Sequence, residues 1–109
     1  MDQAQHQNLA AGRWFEMTLP QQLGNVGSEF ERALKWKQKG QSQLFESATA
    51  RMLELLDLTI ADPRWHGYRL RELTRLREFV CEELYGRADS DAAMGLKKYF
   101  LQFALLARS

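Results

Sequence analysis

Apolar residues recur at three- and four-residue intervals through four successive stretches of this chain, the first three of which close at Gly40, Pro63 and Gly86. That period is helical, because residues at i, i+3, i+4 and i+7 share one face of a helix. β-branched residues, which strands favour, are scarce. The pattern predicts an all-α chain with four helices of similar length. Short connections make consecutive helices antiparallel neighbours, so the expected architecture is an up-down-up-down four-helix bundle. Residues 18–109 are read as the bundle, and 1–17 as a leading segment packed across it through Trp14 and Phe15.

The first helix is expected to begin at Thr18, where Gln21 completes a capping-box pattern and Pro20 fits a first turn. Leu19, Leu23, Val26, Phe30, Ala33 and Leu34 form its apolar stripe. Lys35, Lys37 and Lys39 favour the negative end of the helix dipole, and Gly40 supplies a stop. Ser42 is read as the cap of the second helix, which runs to about Ala61 and ends at Asp62-Pro63 because a residue before proline avoids helical angles. The third covers Tyr68 to Tyr85, with Leu70, Leu73, Leu76, Val80 and Leu84 inward. Asp89 or Ser90 caps the fourth, which runs to about Ala107 with Leu96, Phe100, Phe103, Ala104 and Ala107 inward.

A chain of 109 residues suits one domain with a single core. Fifteen Lys and Arg against fourteen Asp and Glu leave a net charge of +1, a weak basic excess for a nucleic-acid binder. On the third helix Arg69, Arg71, Arg75 and Arg77 interleave with Glu72, Glu78, Glu82 and Glu83, the pattern of a solvated face. The lone Cys81 allows no intrachain disulfide and fits a reducing compartment. Met1 to Asn8 lacks the apolar run of a signal peptide, and Tyr99 to Ala107 is too short to span a bilayer. A cytoplasmic protein without membrane contact is the expectation.

Two helices carry more apolar surface than one core needs. On the second, Leu44, Leu55 and Leu58 fall beside the face formed by Phe45, Thr49, Met52, Leu53, Leu56 and Ile60. On the fourth, Leu101 and Leu105 lie off the inward set. Arcs this wide exceed the ~100° stripe of a simple surface helix. Large apolar patches are unusual on monomers, and twofold assemblies are the commonest oligomers. The sequence therefore predicts a homodimer using Leu44, Leu55 and Leu58, or Leu101 and Leu105.

Chemistry-bearing residues are sparse. His6 and His66 have no partner at helical spacing, and no pattern suits zinc, a di-iron centre, calcium or a phosphate. No metal and no cofactor is expected. The most specific polar pattern is the stripe Asn25, Glu29, Arg32 and Trp36 on the first helix, beside Gly24, Gly27 and Ser28. Helix-interior glycine costs about 1 kcal/mol against alanine, so a pair of them suggests a close approach by a helix, a ligand or a partner. Arg77 falls inside the apolar arc of the third helix and is expected to pair inward with Asp57 or Glu29. A fully buried pair would make Arg77→Ala cost about 3–5 kcal/mol.

The segments Gly12-Arg13-Trp14, Leu23-Gly24-Asn25-Val26-Gly27-Ser28-Glu29 and Leu53 to Ile60 followed by Asp62-Pro63 resemble a family of small bacterial helical proteins without an assigned activity. That resemblance implies no catalytic residue. In overall shape the chain is also similar to the HEPN domain and to the four-helix bundles linked to ribosomal RNA insertions and retroelements. Active HEPN members carry Arg-x4-6-His near the last helix, and this chain has no histidine there. The reading is a non-enzymatic helical interaction module, dimeric and binding another protein. The alternative is a HEPN-like bundle associated with RNA or nucleotides, inactive or of partner type. An enzyme using Glu29, Asp57 and Arg77 ranks last.

Overall fold

The computed structural model describes residues 12–86 and 90–108, and among these there are helices and no strand. A helical turn at 12–14 precedes four long helices: α1 (Leu19–Gln38), α2 (Ser42–Ala61), α3 (Tyr68–Tyr85) and α4 (Ser90–Ala107). Most of residues 1–17 of the leading segment, with His6, and the candidate cap Asp89 lie outside the described residues. No helix among the described residues is long and apolar enough to cross a membrane.

Local chemistry explains the element boundaries. Gln21 N donates to Thr18 Oγ1 at 3.2 Å while Thr18 N donates to Gln21 Oε1 at 2.9 Å, a reciprocal capping box at the start of α1. Gly40 takes φ of +69°, a left-handed angle that ends α1 without a Cβ clash. The turn is so tight that Gln41, and not Ser42, occupies the N-cap of α2. Its carbonyl accepts from Phe45 N, its own N–H donates to Trp36 O, and no side chain caps the helix. Asp62 is extended, at φ −66° and ψ 119°, as the following proline requires.

α1 is the central helix, packed along both α2 and α4, and α2 also packs on α3. Its stripe of Leu19, Leu23, Val26, Phe30, Ala33 and Leu34 is buried. Trp14 joins this core, 5% exposed. The core is completed by Met52 and Leu56 from α2, by Leu73, Leu76, Val80 and Leu84 from α3, and by Phe100 from α4. The close approach that the α1 glycines imply is made by α4. A Cβ on Gly27 would collide with the Phe100 side chain, and one on Gly24 would lie 3.4 Å from Ala104 Cα.

α3 and α4 barely touch. Between them lies a groove of about 890 Å³, with Leu76 of α3 and Leu96 and Tyr99 of α4 in its walls.

Candidate functional site

The polar stripe of α1 is occupied by partners within the chain. Asn25 Nδ2 donates to Gln21 O at 2.8 Å, a bond within the helix. Glu29 is 8% exposed and pairs with Arg32 at 2.8 Å and more loosely with Arg51 of α2 at 3.7 Å. Trp36 is half-buried, with the ammonium groups of Lys35 and Lys39 5.1 and 5.8 Å from its ring centroid. These are cation–π distances.

Arg77 pairs with Asp57 through Nε and Oδ1 at 2.7 Å, with Nη2 and Oδ2 at 3.4 Å. The inward, buried pair expected from its angle on α3 is corrected by the exposures, 40% for Arg77 and 54% for Asp57. The long side chain runs along the apolar edge and delivers its guanidinium to water. An ion pair this exposed contributes at most about 1 kcal/mol. Glu29 pairs with other arginines, so Glu29, Asp57 and Arg77 form two separate ion-pair groups and no shared site.

The leucines proposed for contact divide as well. Leu44, Leu101 and Leu105 are 45, 55 and 54% exposed. Leu55 and Leu58 are half-buried against the core, because α2 has neighbours on two sides and buries a wider arc than a helix with one.

Among the described residues, the densest polar arrangement lies where α1 begins and α2 ends. Asp62 is 1% exposed. It accepts from Gln22 Nε2 at 3.0 Å and from Arg64 Nη2 at 2.7 Å, while the Arg64 backbone N–H donates to its other oxygen at 3.0 Å. Gln22 also donates to Trp14 O at 2.9 Å and accepts from Trp65 Nε1 at 2.8 Å. Trp14 Nε1 donates to Thr59 Oγ1 at 2.9 Å, and Arg64 Nη2 reaches Met17 O at 2.6 Å. The Arg64 guanidinium beside it holds the Asp62 carboxyl down at about 2, against the opposing effect of burial. The network ties the leading segment, α1, α2 and the loop before α3 together. Its partners are internal, which marks it as structural.

Sequence reasoning missed this cluster, although one signal was present. Gln22 falls on the buried stripe of α1 between Leu19 and Val26, and a polar group there requires a partner.

A further concave feature is the groove between α3 and α4. Tyr99 OH donates to Glu72 Oε2 at 3.2 Å, and Arg69 Nη1 donates to Glu72 Oε1 at 2.6 Å. Burial, followed by the nearby Glu72 carboxylate, raises the Tyr99 phenol above its ordinary pKa, so it stays protonated. Phe79 stands on the α3 rim, 52% exposed, with Arg71 and Arg75 alongside. Among the described residues, no group of three or more His, Cys, Asp or Glu could hold a metal ion.

Comparison with known proteins gives no match: no family model, no curated protein and no solved structure is significantly similar to this chain.

Proposed function

We propose that this chain is a non-enzymatic helical interaction module, an antiparallel four-helix bundle that associates with itself and with another protein. The observation that carries this reading is the surface of α4. That helix packs on α1 along one side, yet Met94, Leu101, Leu105 and Leu106 are each more than half exposed. From Tyr99 to Ala107 the helix is apolar but for Gln102, a wider apolar arc than its packing on α1 covers. The bundle arrangement draws support from the packing of α1 on α2 and α4, of α2 on α3, and from the short connections. Action in the cytoplasm fits a chain with a lone cysteine.

Sedimentation equilibrium tests the self-association. The wild-type chain is expected to sediment as a dimer at high micromolar concentration, and a monomer there would overturn that part of the reading.

A further inference from the structure

We propose that the exposed face of α3 is a twofold seam on which a second copy of this chain docks its own α3, antiparallel. The proposal rests on the reading of the chain as a self-associating module and names the contact.

Tyr68, Arg71, Arg75, Glu78, Glu82 and Tyr85 follow one another at alternating intervals of three and four residues. That spacing lines the six up in one row along a single face of the helix. All six are exposed on the structure, on the side of α3 that turns away from Leu73, Val80 and Leu84. The seam is symmetric about the point between Leu76 and Arg77. An antiparallel copy placed on that point sets Tyr68 against the second copy's Tyr85, Arg71 against its Glu82, and Arg75 against its Glu78. A parallel copy would set arginine against arginine and glutamate against glutamate. A twofold contact requires this reciprocity, in which residue i meets j and j meets i.

Two further observations favour a second copy as the occupant. Arg71, Arg75, Glu78 and Glu82 form no ion pair within the chain among the described residues. Within α3, Arg71 and Arg75 stand one turn apart, as do Glu78 and Glu82, and like charges at i, i+4 destabilise an isolated helix. An antiparallel copy relieves both repulsions at once. Phe79, on the groove side of this seam, is placed to cover the second copy's Arg75 and to close over the Leu76–Leu96 floor. In this contact the aromatic rings of Tyr68, Phe79 and Tyr85 supply the affinity, and the charges fix orientation and partner.

Charge reversal tests the seam with folded chains. One variant carries Arg71→Glu with Arg75→Glu, and a second carries Glu78→Arg with Glu82→Arg. All four positions are exposed, so circular dichroism should show the wild-type helix content in both. Each variant alone is expected to dimerise at least tenfold more weakly than wild type. An equimolar mixture is expected to recover a dimer containing one chain of each, because every like-charged pair becomes an opposite one. Homodimers of either variant as tight as wild type would overturn the proposal, as would a mixture that stays monomeric. If the wild-type dimer survives both reversals but is lost in Leu101→Asp with Leu105→Asp, the self-contact lies on α4. That outcome overturns the seam and leaves the interaction reading standing. A wild-type monomer overturns both the seam and the homodimer.

Discussion

Asp62 shows how a single side chain organises one end of the molecule. Its carboxylate is buried and charged, held by Arg64 and Gln22. The folded-state value of about 2 lies below the ordinary 3.8, so the group contributes stability that is fully present above pH 3.8. As pH falls through that value towards 2 the contribution is lost, because the unfolded chain takes up its proton first. The loss amounts to about 2 kcal/mol, and Asp62→Asn should flatten this part of the stability profile while lowering stability at neutral pH. Urea unfolding at stepped acid pH, on wild type and Asp62→Asn, checks both. In the sequence this aspartate reads as a helix terminator before proline, which it is. Its second role depends on Gln22 and Trp14, residues that only the fold brings beside it.

At the scale of the element, the α1–α4 seam requires one of the two glycines that helix propensity disfavours, Gly27, and leaves room for a side chain at the other. Gly27→Ala gains about 1 kcal/mol of intrinsic propensity but drives a methyl group into Phe100. Overpacking of that kind costs about 1–3 kcal/mol, so a net destabilisation is expected. Gly24→Ala meets only ordinary contact with Ala104 and should be neutral or slightly stabilising. Chemical denaturation of the two variants checks the contrast. The helices themselves were legible from periodicity and punctuation, since Thr18, Gly40, Pro63 and Gly86 act on the backbone next to them. The cost of glycine inside a helix also marked Gly24 and Gly27 as a place of close approach. It could not say that α4 makes that approach, nor could periodicity say that α2, with helices on two sides, half-buries Leu55 and Leu58. The side chain of Arg77 escaped for a similar reason: its Cα direction is inward, while its guanidinium ends at the surface beside Asp57.

For the whole molecule, stability and assembly are linked. If the folded chain dimerises and the unfolded chain does not, the melting temperature must rise with protein concentration. We expect such a rise for wild type, and for the Arg71→Glu with Arg75→Glu variant a rise that sets in only at about tenfold or more higher concentration, measured by calorimetry over a wide concentration range. The groove that accompanies this seam was not legible in the sequence, because it records how little α3 and α4 touch and not what either helix contains. The same topology bears on biosynthesis. α1 is made early, yet the helix that covers its glycine seam begins only at Ser90. Helices form in about a microsecond, whereas translation adds about 5–20 residues per second. For several seconds the nascent chain therefore presents to its surroundings the side of Phe30 that Phe100 will cover.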